Sequence, residues 1–176
     1  AMAERVCFNA KVQRPSTCNA METLLVHQGI ARHWLAPFIE KLTAANVQVR
    51  GCQKTCQLSS SATPASDDDF GKEFLDLTIA VKGVKNVDEA MEHIAKYGSR
   101  HTEAIVTSDY PKAMRFLREV DAGAVLVNAS TRLNDGYQFG LGAEIGISTS
   151  RIHARGPMGL EELTCFKFIV MGSGQV

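Results

Sequence analysis

Strand-like and helix-like patterns alternate from residue 22 to residue 128, and this alternation limits the fold more than any other feature of the chain. The segments rich in β-branched and apolar side chains, which is typical of strands, are residues 22–26, 47–49, 74–84, 102–107 and 124–127. Apolar side chains recur at helical spacing between them, in residues 30–45, 87–97 and 110–120. The sequence therefore predicts the α/β class, with a mostly parallel sheet covered by helices on both faces.

Four segments depart from the regular alternation of strands and helices. Pro37 lies inside the first helical pattern, so the sequence leaves open a kinked helix or a helix that starts after the proline. Residues 57–69 are rich in Ser, Ala and Asp and are predicted to form a surface loop. Residues 129–163 are Gly-rich and irregular, and residues 166–170 form a late strand that is either an edge strand or an arm to another subunit. We therefore predict a catalytic α/β domain over residues 1–128 and a Gly-rich segment with a terminal interface strand over residues 129–176.

Charge and composition exclude several classes of partner. The 19 basic and 19 acidic side chains cancel, which argues against binding to nucleic acid or to an anionic membrane surface. No apolar run is long enough for a bilayer span and no signal peptide is recognisable, so the expected location is the cytoplasm. The five cysteines are expected to be reduced, and Cys52 and Cys56 have no second pair of ligands, so no metal site is predicted.

The segment over residues 14–19 contains the candidate nucleophile, Cys18. Pro15 should end any helix that arrives from residues 3–9, which places Cys18 on a loop. Lys11 and Arg14 are close in sequence, and a nearby cation lowers the pKa of a thiol by favouring the thiolate. The carboxyl end of the incoming helix opposes this effect through its partial negative charge.

Two other functions remain open at this point. A Cys-His hydrolase is one, since five histidines are available, but no spacing selects a partner for Cys18. The other is a non-catalytic assembly module whose terminal strand, residues 166–170, adds to a sheet of another copy. The glycines of residues 139–146 are spaced G-x-G-x-x-x-G, which does not match a dinucleotide-binding fingerprint.

Three longer strings carry a family resemblance. They are NAKVQRPSTCNAMETLL at residues 9–25, NASTR followed by FGLGAE at residues 128–132 and 139–144, and HARGPMGL at residues 153–160. Together they resemble the γ-glutamyl phosphate reductase family, also called glutamate-5-semialdehyde dehydrogenase, of the aldehyde dehydrogenase superfamily. The resemblance covers essentially the whole chain, and divergence is concentrated in residues 50–69.

The resemblance implies an NADPH-dependent reduction of γ-glutamyl phosphate to glutamate 5-semialdehyde in proline biosynthesis. By position, Cys18 would displace phosphate and hold a thioester, and Glu73 would correspond to the glutamate that hydrogen-bonds the nicotinamide ribose. The substrate carries two anionic groups that need fixed donors. Our candidates for binding the glutamyl carboxylate or the phosphate are Arg14, Ser16, Ser130 and Arg132.

The resemblance also has consequences for organisation. Members of the family begin with a cofactor-binding domain that has no counterpart in these residues, so we expect a catalytic-domain and C-terminal fragment that is inactive alone. The backbone N–H of Cys18 is then the remaining candidate donor to an oxyanion. The implied partners are γ-glutamyl phosphate, glutamate 5-kinase and a second copy of the chain in a homodimer.

Overall fold

The computed structural model describes all 176 residues as five α-helices, eight β-strands and three short 3₁₀ turns. The helices are α1 (Met2–Val12), α2 (Gln28–Ala44), α3 (Gln53–Leu58), α4 (Val87–Tyr97) and α5 (Tyr110–Glu119). The strands are β1 (Thr23–His27), β2 (Gln48–Gly51), β3 (Ala62–Pro64), β4 (Thr78–Val84), β5 (Thr102–Ile105), β6 (Ala124–Val127), β7 (Gly146–Ser148) and β8 (Gly156–Met158). The 3₁₀ turns are Asp68–Gly71, Thr131–Leu133 and Glu161–Leu163.

Four parallel strands form the main sheet, in the order β1-β4-β2-β3. Parallel strands require crossover connections, and here α2 connects β1 to β2 while α3 connects β2 to β3. A second parallel sheet pairs β5 with β6, and β7 and β8 form a short antiparallel pair. The predicted α/β class with a mainly parallel sheet is confirmed, although the parallel strands are divided between two sheets.

One face of the main sheet is covered by α2. Leu35, Ile39 and Leu42 of this helix are almost fully buried, in the same apolar core as Ile79 and Val81 of β4. Full burial of a large aliphatic side chain stabilises a fold by about 1.5–3 kcal/mol. The helical spacing of these side chains on α2 therefore explains why the segment folds against the sheet.

Pro37 lies inside α2 without ending it. Its ring removes the N–H that would bond to the carbonyl of His33, but both residues lie on the exposed side of the helix, where water can reach that carbonyl. At its start, the ring of His27 accepts a hydrogen bond from the N–H of Gly29. The helix thus begins at Gln28, and the alternative start after the proline is wrong.

The opposite face of the main sheet packs against aromatic and basic side chains. His93 of α4 is buried, with its ring edge-on to Phe70 and Nδ1 at 3.2 Å from Nζ of Lys82. Asn86 caps α4 by accepting from the N–H of Glu89. His93 is therefore a structural residue of the packing between α4 and the sheet.

The unpaired edges of β1 and β5 border one cavity of about 780 Å³. Residues 23–27 and 102–107 line it together with the inner side of α4. The neighbouring α5 begins where the sequence predicts, since the Asp109 carboxylate accepts from the N–H of Lys112. The cavity separates the main sheet from the β5-β6 pair.

Two local predictions fail. The surface loop predicted for residues 57–69 is wrong, because Ala62 is buried and begins β3, whose Thr63 hydroxyl donates to the carbonyl of Val49 at 3.3 Å. Pro64 is tolerated there because β3 is an edge strand. Residues 166–170 form no strand within the chain, and their large apolar side chains are exposed. An edge strand of this chain's own sheets is therefore excluded for that segment, and the intersubunit arm stays a prediction.

Candidate active site

Cys18 lies on the loop between the end of α1 and the start of β1, as Pro15 predicts. Two turns shape this loop: the hydroxyl of Thr17 donates to the carbonyl of Arg14 at 2.8 Å, and the N–H of Ala20 donates to the carbonyl of Thr17 at 2.9 Å. The Cys18 side chain is exposed. The nucleophile candidate is thus accessible on a loop with a defined backbone.

A buried ion pair closes the base of the loop. Nζ of Lys11 lies 2.7 Å from Oε2 of Glu22, and the Lys11 side chain is fully buried. Burial lowers the pKa of Lys11, and the hydrogen bond to Glu22 opposes that change. Glu22 also accepts from the N–H of Leu75 at 3.2 Å. Lys11 therefore ties α1 to β1.

Asn19 connects the loop to the Gly-rich segment. Its side chain is buried, and its Nδ2 donates to the carbonyl of Asn134 at 2.9 Å. The guanidinium of Arg132 donates to Oδ1 of Asn19 and, through Nε, to the side chain of Gln13 at 3.1 Å. These contacts span more than a hundred residues of sequence and hold Arg132 beside the Cys18 loop.

The surroundings of Cys18 raise the pKa of its thiol. Partial burial is the main cause, followed by the negative charge of Glu144, while the backbone N–H of Cys18 and the charge of Arg132 act in the opposite direction. Glu73 adds to the increase. The expected activation by Lys11 and Arg14 is wrong, because Lys11 is neutralised by Glu22 and the Arg14 side chain points to solvent.

Cys52 offers a contrasting thiol. It is the N-cap residue of α3, and its sulfur lies 3.4 Å from the hydroxyl oxygen of Thr55. Burial disfavours the thiolate, but hydrogen bonds from Thr55 and from backbone N–H groups outweigh it and lower the pKa of Cys52. Cys56 Sγ lies 3.4 Å from the carbonyl of Gly51. No group of three or more His, Cys, Asp or Glu side chains is arranged to hold a metal ion.

The residues predicted for the site are only partly brought together. Cys18 and Glu73 line the cavity of about 780 Å³. Ser130 and Arg132 lie at the 3₁₀ turn Thr131–Leu133, where the Ser130 hydroxyl accepts from the N–H of Arg132 at 3.3 Å. The exposed residues Arg14 and Ser16 stay on the loop itself, outside the cavity.

Sequence reasoning missed three residues that act on the Cys18 loop, two through hydrogen bonds and one through its charge. These are the buried residues Asn19 and Asn134 and the charged residue Glu144. All three lie within or beside the strings that carry the family resemblance, which is the one signal that could have drawn attention to them.

No histidine is hydrogen-bonded to Cys18. His27 accepts from Gly29, His93 contacts Lys82, and His101 contacts the hydroxyl of Thr102 at 2.6 Å. The Cys-His pair that a hydrolase of this type requires is therefore not formed.

The whole chain has close relatives. It is 64% identical over 176 residues to a γ-glutamyl phosphate reductase of Thermodesulfovibrio yellowstonii and 61% identical over 175 residues to one of Desulfatibacillum aliphaticivorans. The crystal structure of γ-glutamyl phosphate reductase from Thermotoga maritima superimposes with a TM-score of 0.93 over 99% of the chain, at 56% identity. Along its full length, the chain is therefore similar to one part of γ-glutamyl phosphate reductases. The resemblance stated from the sequence is confirmed.

The match covers one part of each relative. The chain accounts for 42% of the length of both curated reductases and of the Thermotoga maritima structure. An acetylating aldehyde dehydrogenase from Geobacillus thermoglucosidasius shares the fold, with a TM-score of 0.59 at 17% identity over 98% of this chain and 49% of that one. No family model matches the sequence. None of the helices combines the length and the apolar character needed to cross a bilayer.

Proposed function

We propose that this chain carries the acyl-transfer site of an enzyme that reduces γ-glutamyl phosphate to glutamate 5-semialdehyde, an oxidoreductase step of proline biosynthesis. The observation that supports this most is the position of Cys18, which is exposed on an anchored loop and lines the same cavity as Glu73 in a homologue of γ-glutamyl phosphate reductases. The site suits nucleophilic catalysis because the thiol has open access to a cavity large enough for a small ligand.

The first step is a displacement at the acyl carbon. After the thiol has given its proton to water, Sγ of Cys18 attacks that carbon and forms a C–S bond, and the C–O bond to phosphate breaks with its electron pair leaving on the phosphate. The backbone N–H of Cys18 donates to no backbone carbonyl, so it is available to the oxyanion that develops. The thioester forms without any redox partner.

The anionic groups of the substrate need cationic and hydroxyl donors beside this loop. Arg132 is held there by Asn19, and its charge already favours an anion at Cys18. We assign it, with Ser130, Arg14 and Ser16, to the glutamyl carboxylate or the phosphate. Arg132 is the leading candidate because its guanidinium is positioned by two side chains.

Reduction of the thioester requires a nicotinamide cofactor, and we assign NADPH. Glu73 fits such a group, since its carboxylate is exposed, lines the cavity of Cys18 and can accept hydrogen bonds from ribose hydroxyls. NADPH supplies the hydride when it is bound. Glu73 is the residue of this chain assigned to its orientation.

We infer that the 176 residues alone do not complete the reaction, because they account for 42% of the length of their curated relatives and the resemblance assigns cofactor binding mainly to another domain of such enzymes. The organisation into residues 1–128 and 129–176 stays part of this proposal. So do a cytoplasmic location, glutamate 5-kinase as a partner, and a homodimer. The exposed apolar side chains of residues 166–170 suit an arm that joins a second copy, which also keeps the assembly role open.

A chimera with the Thermotoga maritima reductase tests the proposed function. The 176 residues replace the matching segment of that enzyme, and consumption of NADPH is followed with γ-glutamyl phosphate. We expect turnover by the chimera and none by the 176-residue chain alone. The Cys18→Ser chimera is the control and should be inactive.

A folded chimera that binds NADPH but forms no semialdehyde would contradict the proposal. Robust turnover by the isolated chain would contradict its predicted inactivity and leave the reaction itself supported.

A further inference from the structure

Glu22 holds the backbone of the segment that contains Glu73. That segment, residues 72–75, lies between the 3₁₀ turn Asp68–Gly71 and β4, and its backbone N–H and carbonyl groups make one hydrogen bond within the chain. The donor is the N–H of Leu75 and the acceptor is Oε1 of Glu22, at 3.2 Å. The position of Glu73, two residues before Leu75, therefore depends on this contact.

Leu75 adopts a backbone conformation that leucine does not prefer. Its φ is +56°, in the left-handed region, where the Cβ of an L-residue is crowded by its own backbone. Its side chain is exposed, so packing contributes little to holding this conformation. A strained backbone persists where the surroundings impose it, and the hydrogen bond to Glu22 does so here. Without that bond, Leu75 should return to negative φ and redirect the chain at Glu73.

Glu22 is itself a fixed anchor. Its carbonyl accepts from the N–H of Ala80 at 2.9 Å, and Ala80 is fully buried in β4 of the main sheet. Its Oε2 pairs with the buried Nζ of Lys11 at 2.7 Å, which leaves Oε1 for the N–H of Leu75. The main sheet and α1 thereby fix the carboxylate to which Leu75 bonds.

We propose that Glu22 is a positioning residue for cofactor binding: its carboxylate holds Leu75 at positive φ and thereby places Glu73 in the cavity of Cys18. This inference rests on the proposed assignment of Glu73 to NADPH. The role is separate from the ion pair with Lys11, because the two oxygens of the carboxylate serve different partners. The two contacts can therefore be removed one at a time.

The conformation of Leu75 is tested first, by nuclear magnetic resonance of the 176-residue chain. The nuclear Overhauser effect between the N–H and the Cα–H of one residue is strongest at positive φ. We expect a strong signal for Leu75 in the wild-type chain, a weak one in Glu22→Met, and a strong one at position 75 when Leu75→Asn is added, since Asn tolerates the left-handed region. A signal that stays strong in Glu22→Met would overturn the proposal.

NADPH binding to the chimera with the Thermotoga maritima reductase provides the second test. Glu73→Ala and Glu22→Met should each weaken binding about tenfold, and the double variant should bind no more weakly than Glu73→Ala alone. Such non-additivity is expected if Glu22 acts through Glu73, whereas a merely structural role would add to the loss. Leu75→Asn should restore the affinity of the Glu22→Met chimera.

Lys11→Met is the matched control. It breaks the same ion pair but leaves Glu22 to accept from Leu75, so it should lower stability without weakening NADPH binding. Should Glu22→Met fail to fold, it is combined with Lys11→Met, which replaces the buried pair by two apolar side chains, and Lys11→Met becomes the reference for both measurements. Equal losses of NADPH affinity in Lys11→Met and Glu22→Met would overturn the proposal.

The outcomes separate this inference from the proposed function. If Glu73→Ala left NADPH binding unchanged, the assignment of Glu73 would be rejected, and the role of Glu22 with it. If Glu73→Ala weakened binding while Glu22→Met did not, or if the two losses added, only the role of Glu22 would be rejected. Acylation of Cys18 by an acyl phosphate tests the rest of the proposed function independently.

Discussion

Cys18 and Cys52 sit at opposite ends of the main sheet, before β1 and after β2, and their pKa values shift in opposite directions. Cys52 receives hydrogen bonds from Thr55 and from backbone N–H groups, which outweigh its burial. Cys18 is exposed, but the surrounding protein removes part of its hydration, Glu144 and Glu73 add negative charge, and Arg132 is the single nearby cation. Donors and charges that are close in space, and not the basic residues adjacent in sequence, therefore decide how readily each thiol ionises.

A raised pKa at Cys18 is compatible with its role as the nucleophile. The more basic thiolate is the stronger nucleophile, and a substrate held by Arg132 brings the acyl carbon to it. Cys52 has the lowered pKa, but it does not line the cavity that holds Cys18 and Glu73. The reactivity of each thiol therefore depends on the cavity and the groups around it as well as on its ionisation.

The largest expected effect concerns the anchoring of the Cys18 loop. Lys11→Met leaves the Glu22 carboxylate without its buried partner and should lower the free energy of unfolding by about 3 kcal/mol in urea denaturation. Lys41→Met is the control, because its pair with Glu4 is exposed and its loss should change the free energy of unfolding far less. Equal losses in the two variants would show that the buried pair does not anchor the loop.

The next effect concerns the charge beside Cys18. Glu144→Gln removes a negative charge and should lower the pKa of Cys18, so that iodoacetamide labels this residue several-fold faster near neutral pH. Arg132→Gln should raise the pKa and slow the labelling. Labelling of Cys52, followed by peptide mass spectrometry in the same samples, serves as the internal control. An unchanged rate at Cys18 in both variants would contradict the electrostatic explanation.

The smallest effect concerns Cys52. Thr55→Val removes a hydrogen bond to the sulfur and should raise the pKa of Cys52, so that its alkylation profile moves to higher pH while that of Cys18 stays in place. The cations Lys11 and Arg14, which are close in sequence, predict a lowered pKa at Cys18. The opposed pKa shifts predict instead that the unliganded chain ionises Cys52 at lower pH than Cys18. If Thr55→Val left the pH profile of Cys52 alkylation unchanged, the hydrogen bond from Thr55 would not be the cause of the lowered pKa.

Much of the fold follows from local patterns in the sequence. The periodicity of α4 and α5 and the loop imposed by Pro15 are local properties, and each is found where the sequence predicts it. The side-chain caps of these two helices, Asn86 and Asp109, are local as well. The strand β3 was missed because it is only three residues long and its pairing with β2 is a tertiary contact that no periodicity records.

The candidate site was less predictable for the same reason. Cys18 is a candidate from its local sequence, and the family resemblance supports it and adds Glu73. The partner of Lys11, however, lies eleven residues further along the chain, and Asn19 bonds to Asn134 across 115 residues. A sequence shows which side chains are available, while only the fold determines which of them neutralise one another. The expected activation of Cys18 by Lys11 is wrong for this reason, because the fold pairs Lys11 with Glu22.

The proposed function requires Cys18 to accept the acyl group. Incubation of the 176-residue chain with acetyl phosphate, followed by acid quenching, digestion and mass spectrometry, identifies the cysteine that carries the thioester. We expect acetylation at Cys18 that increases with pH, persists in Cys52→Ser and disappears in Cys18→Ser. Acetylation that falls on Cys52, or equally on all the exposed cysteines, would contradict it.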